Sequence, residues 1–170
     1  MNKFYNLILL VFISVLAGCS SIPYEDGYPK ENRWAVLPVQ SLQSPDIGVQ
    51  TERMLKVLLA SRGIAHVALP PETELQGDNA LLQGAQRLSN AESWAQQHNI
   101  QLGMTGVIDF VKTDSRDRFL IGITLQVIDI KTGEHLWAVS GQGEGKPGED
   151  RYTVTRNLLT ALLNGLPLKQ

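Results

Sequence analysis

The chain has 170 residues, of which 43% are hydrophobic, 19% charged and 6% aromatic. Its 15 Lys and Arg against 17 Asp and Glu give a formal charge of −2, which excludes both the basic footprint of a nucleic-acid-binding protein and a polyanionic disordered tail. One cysteine excludes an intramolecular disulfide and an all-cysteine metal site.

The apolar residues are unevenly placed. After Lys3, the stretch Leu7–Leu16 is apolar except for Ser14. As a helix it would span about 15 Å, half a bilayer core, which fits the h-region of a secretory signal better than a membrane span. Leu16-Ala17-Gly18-Cys19 comes next, with small residues beside the expected cleavage point. This resembles the lipobox of bacterial lipoproteins. The resemblance implies a diacylglycerol on the Cys19 thiol, an acyl chain such as palmitate on its new amine, and no other cofactor. Ser20 and Ser21, in place of an aspartate, imply sorting to the outer membrane, facing the periplasm. Several acyl chains anchor stably where one is marginal. Three segments are expected: a signal peptide over 1–18, a lipidated N-terminus and tether over 19–33, and one periplasmic α/β domain over 34–170. Removing 1–18 would leave 152 residues and a formal charge of −3. A chain of that size buries enough surface for a core without disulfides.

Ser20–Arg33 carries Pro23, Gly27 and Pro29 and no apolar period, so it reads as a tether. Trp34–Val39 is a short apolar run, a buried first strand, with Pro38 at its end or on an unpaired side. Asp46 is the expected N-cap of a helix over Ile47–Arg62, with Met54, Leu55, Leu58 and Leu59 as its apolar stripe and Gly63 ending it. Ile64–Leu69 is a second strand, broken by Pro70-Pro71. A long loop follows to Gln83. Ser89 and Glu92 suggest a capping box for a helix over Asn90–His98. Gln101–Thr113 and the alternating Phe119–Lys131 are strands. The turn Lys131-Thr132-Gly133-Glu134 leads into a last strand over Glu134–Gly143. Asp150–Leu163 is a closing helix, ended by Gly165 and Pro167. The order is β-α-β-α-β-β-β-α, a mixed α/β fold. Its first half needs parallel pairing and its second half is an antiparallel meander, giving a sheet of about five strands flanked by helices.

Few residues suggest chemistry. His66, His98 and His135 lie on different elements with no metal-ligand spacing. Ser140 lacks the glycine pattern of a nucleophile elbow. Gly141–Gly148 looks like a phosphate loop but starts from Ser140 and has Pro147 where Ser or Thr is required, so it reads as a flexible glycine hinge. No catalytic residue and no metal site are expected. Lys112–Arg118 is a charged cluster at a hairpin tip, either a solvated turn or a patch that lines a pore or meets a partner. Tyr152 opens the last helix, either as a plain helix-start residue or as a membrane-interface anchor.

Four collinear segments carry a family likeness: Trp34–Pro38, Thr105–Ile108, Gly122–Asp129 and Thr132–Gly141. The first resembles the opening strand of periplasmic lipoproteins of the TolB-N-terminal-like group, which includes the curli secretion lipoprotein and lipoprotein activators of penicillin-binding proteins. Together the four are similar to PelC-like outer-membrane lipoproteins of Pel exopolysaccharide export, over nearly all of Trp34–Leu166. The resemblance implies a non-enzymatic subunit of a dodecameric ring. The ring would guide a cationic amino-sugar polymer to the porin subunit PelB during biofilm matrix secretion. Asp109, Asp114 and Asp117 are the candidate lumen-facing, polymer-guiding residues, since clefts lined by one sign of charge focus the field on an opposite polymer. The sequence departs from the family between the last strand and last helix, where Tyr152 is the only aromatic. The alternative is a lipoprotein activator of a cell-wall enzyme. Ser20–Arg33 spans at most about 50 Å extended, which favours a membrane-proximal role.

Overall fold

The computed structural model describes residues 24–41, 43–72 and 80–169. The leader, Cys19, Ser20 and Ser21 lie outside the described residues. Eight elements follow in chain order: β1 (Arg33–Gln40), α1 (Pro45–Ser61), β2 (His66–Ala68), α2 (Ala80–Gln97), β3 (Leu102–Thr113), β4 (Phe119–Asp129), β5 (His135–Glu144) and α3 (Arg151–Leu163). The order and the mixed five-stranded sheet are those expected from the sequence. The strands lie in the order β2-β1-β3-β4-β5, with β1 parallel to β2 and β3 and the remaining pairs antiparallel.

The strand phases dictate the packing. In β4 the alternate residues Ile121, Ile123, Leu125 and Val127 are all fully buried. They point to the face covered by α1 and α3, where Leu55, Leu59, Leu159 and Leu163 meet them. Each such side chain contributes roughly 1.5–3 kcal/mol on burial. A smaller cluster forms on the other face, where Ala91 and Ala95 of α2 pack on Ala35, Leu37, Ile128 and Ile130. Pro38 sits in the middle of the register shift between Val36 and Val39, where β1 does not pair with β3. That irregularity tolerates a residue without an N–H.

Five local expectations are corrected. Ser44, not Asp46, is the N-cap of α1, because Pro45 takes the first helical position; Asp46 lies in the first turn. The second helix starts at Ala80, so Ser89 and Glu92 are mid-helix and form no capping box; the Ser93 hydroxyl donates to Ser89 O at 3.0 Å. The second strand is shorter than expected, because only Arg33–Ala35 of β1 pair with it.

Residues Tyr24–Asn32, expected in a tether, lie against the domain. Tyr28 is 3% exposed, its ring meets Trp34 edge-on at 5.8 Å, and its N–H donates to Pro167 O at 2.7 Å. An aromatic of that size buries enough area to hold the segment down.

The glycine-rich stretch is not a hinge. Gly141 and Gly143 are part of β5. A Cβ on Gly141 would lie 2.8 Å from Leu162, one on Gly143 3.3 Å from Leu158, and one on Gly145 2.7 Å from Val154. Glycines at every second position form a trough on one strand face. Residues at every fourth position of α3 fill it.

Candidate functional site

The ends of β3 and β5, the start of β4 and the N-terminus of α3 meet at one pole, which holds Asp114, Asp117 and Tyr152. Asp114 builds the hairpin tip. Its Oδ1 accepts from the backbone N–H groups of Arg116 (2.9 Å) and Arg118 (3.0 Å). Asp117 takes a left-handed conformation, φ 56°, which aspartate tolerates better than most residues. The Arg118 guanidinium donates to Asp114 Oδ2 at 2.9 and 2.6 Å and also to a carboxylate oxygen of Glu144 on β5. The Arg118 side-chain hydrogen bond is the largest influence holding the Asp114 carboxyl below its ordinary value. Asp114 therefore carries a charge that is already neutralised.

The other two candidates differ. The Asp117 side chain is exposed and has no hydrogen-bond or ion-pair partner among the described residues. Asp109 is not at the tip. It bulges from β3 between Ile108 and Phe110 on the exposed sheet face, where the Thr124 hydroxyl donates to it at 3.0 Å and is linked to Ser140 at 2.8 Å. The structure thus brings Asp114 and Asp117 together and leaves Asp109 on a separate surface.

Tyr152 is 53% exposed in the first turn of α3. Asp150 caps that turn by accepting from Thr153 N at 3.0 Å. Tyr152 lines a groove of about 800 Å³ between α1 and α3, floored by Met54, Val57 and Leu58 and edged by Arg53, Arg151 and Arg156.

Sequence reading missed one group. Glu52, in α1, is 7% exposed. Its Oε1 accepts from Val39 N at 2.9 Å, and Arg87 of α2 donates to both oxygens at 3.1 and 3.2 Å. Burial pushes its carboxyl up, partly offset by the Val39 N–H and the Arg87 charge. The signal was its helical phase: Glu52 lies four residues after Gly48 and three before Leu55, on the apolar stripe. The pair borders a second cavity of about 460 Å³ at the carboxyl ends of β1 and β2, with Pro38, Pro70, Pro71 and Trp94.

Among the described residues, no group of three His, Cys, Asp or Glu could hold a metal ion. His98 stacks on Trp94 at 4.9 Å. No helix of the described residues is long and apolar enough to cross a membrane.

No protein-family model matches the chain, and no curated protein matches it by sequence. Solved structures do match. A PelC dodecamer from Paraburkholderia phytofirmans superimposes with a TM-score of 0.66 at 22% identity, over 85% of this chain and 93% of the other. The chain has the PelC fold. A point-substituted PelC dodecamer from the same organism gives the same TM-score at 21% identity, over 84% of this chain and 93% of the other. A lipoprotein from Neisseria meningitidis aligns over 78% of this chain and 96% of its own at 16% identity, with a TM-score of 0.46.

Proposed function

We propose that this protein is a non-catalytic lipoprotein of the outer membrane. Anchored through Cys19 on the periplasmic side, it assembles with copies of itself into a ring that serves exopolysaccharide export. The observation that carries this reading is the fit of the PelC fold over 85% of the chain, from structures that are themselves dodecamers. The lipobox-like Leu16–Cys19 adds the anchor.

In this reading the ring guides a cationic polymer toward a porin such as PelB. Asp117 is the tip carboxylate that offers charge to the polymer, because Asp114 is spent on Arg118. A small net charge per chain matters here only by repetition around a ring, where like charges facing one lumen add their fields.

The test is the mass of the purified, lipidated protein in mild detergent. A closed oligomer of many copies is expected. A strictly monomeric protein at high concentration would overturn the ring. Asp117→Asn should lower polymer export several-fold with the protein level unchanged, while Asp114→Asn should act mainly on the hairpin's stability. Equal export from wild type and Asp117→Asn would remove Asp117 as a guiding residue.

A further inference from the structure

The three strands β3, β4 and β5 are covered on one face only. Helices α1 and α3 fill that face. The second-face cluster of α2 reaches β1 and the end of β4, through Ala35, Leu37, Ile128 and Ile130. Among the described residues, no element covers the rest of the second face. Val107, Asp109, Ala138 and Ser140 are exposed there, around the half-buried Thr124.

The outer side of the helices is its complement. Val57 is 66% and Tyr152 53% exposed in the groove between α1 and α3. Arg151 and Arg156 flank them with no ion-pair or hydrogen-bond partner for their guanidinium groups among the described residues. Among those residues, four large hydrophobics are exposed: Val57, Leu82, Val107 and Tyr152. Three of the four lie on these two surfaces. Each surface thus offers an apolar centre, with free cations on the helical side and the Asp109 carboxylate on the sheet side.

We propose that the groove between α1 and α3 of one copy receives the bare β3–β5 face of the next copy. Val57 and Tyr152 cover Val107, and Arg151 or Arg156 pairs with Asp109. The two surfaces lie on opposite sides of the sheet. Such a contact is head-to-tail, with a donor and an acceptor surface on every copy. It closes into a ring when the rotation between copies allows. The inference rests on the ring reading above and specifies which surfaces make it.

The test uses the full-length lipoprotein in its own membranes. Val57→Cys and Val107→Cys are introduced singly and together, and a short bis-maleimide links them. The double variant should give a ladder of species well beyond the dimer, and neither single variant should. A closed oligomer in detergent with no ladder from the double variant overturns this interface while leaving the ring reading intact. A monomer under all conditions overturns both. A second arm keeps the contact testable if either cysteine variant fails to fold. Asp109→Arg should raise the concentration for half-assembly about tenfold, as expected when a contact charge meets its like. Combining it with Arg151→Asp and Arg156→Asp should restore assembly. No change in the first, or no restoration in the second, also counts against the contact.

Discussion

The Glu52 carboxylate gives the sharpest prediction about what holds the fold together. Glu52→Ala removes the acceptor of the Val39 N–H, a buried backbone donor at the register shift of β1. An orphaned buried donor costs about 1–3 kcal/mol. The change also strands Arg87, whose side chain is 30% exposed and so recovers part of its hydration. Together these come to about 3 kcal/mol, below the roughly 3–5 kcal/mol of breaking a fully buried pair. For a chain of this size that is a fall of roughly 6–12 °C in thermal midpoint. Glu52→Gln keeps an oxygen for Val39 and removes a charge that burial disfavours, so it should cost at most about 1 kcal/mol, for the weakened Arg87 contact. The assay is thermal unfolding of the purified protein, followed by far-ultraviolet circular dichroism. Equal losses from Ala and Gln would refute the role of the Val39 contact; no loss from Ala would refute the whole account. A pH series adds a second readout. Burial holds the Glu52 pKa above 4.5. Its protonation therefore favours the folded state, an advantage complete below that value and lost as pH rises through the raised one. The wild type should gain on Glu52→Gln as the pH falls from neutral toward 4.5.

Two helical glycines should respond oppositely to alanine. A Cβ on Gly48 would lie 2.6 Å from Val39 O, whereas one on Gly84 meets nothing within 4 Å. Gly48→Ala should cost about 1–3 kcal/mol by overpacking, and Gly84→Ala should gain roughly 0.5–1 kcal/mol; thermal midpoints of the two variants settle the sign. Asp150 is held below its ordinary 3.8, first by the Thr153 hydroxyl and then by the Thr153 N–H. Its contribution is present above pH 3.8 and lost as the pH falls through the lowered value. Asp150→Ala should lower the midpoint at neutral pH and flatten its fall in acid. Cys19→Ala should accumulate as an unprocessed precursor of lower membrane affinity; normal processing and outer-membrane fractionation would remove the lipid anchor.

The order of elements was legible because it follows from period. Alternation in Phe119–Asp129 and the 3.6-residue stripes of α1 and α3 report which face of each element is apolar. The turn at Thr132-Gly133 and the Asp150 cap are local chemistry, readable from a few neighbours. The α2 start was misread. Asp78 and Asn79 stand just before Ala80 as residue types that favour a helix start, whereas the Ser89 and Glu92 spacing that imitates a capping box occurs inside the helix. Likewise, Pro45 at the first helical position put the cap at Ser44, two residues before the expected Asp46.

For the site, the sequence identified charged residues but not how each charge is used. Asp114 and Asp117 are three positions apart and look alike in a string, yet one is clamped by Arg118 and the other is free of ion pairs among the described residues. Asp109 belongs to the same hairpin, but its carboxylate meets Thr124 on the open sheet face, away from the tip.

What the sequence alone determined is the succession of elements, the apolar face of each, and the candidate leader and lipid-bearing cysteine. These depend on contacts within a few residues or on composition. Only the tertiary structure decided that Gly141, Gly143 and Gly145 are a trough for α3, that Tyr28 is core, that Glu52 satisfies Val39, and that one face of β3–β5 is left bare. Each of these depends on atoms of different elements meeting across a layer. A periodic pattern says that a face is apolar; it does not say how close the facing backbone comes, nor which faces have nothing to cover them.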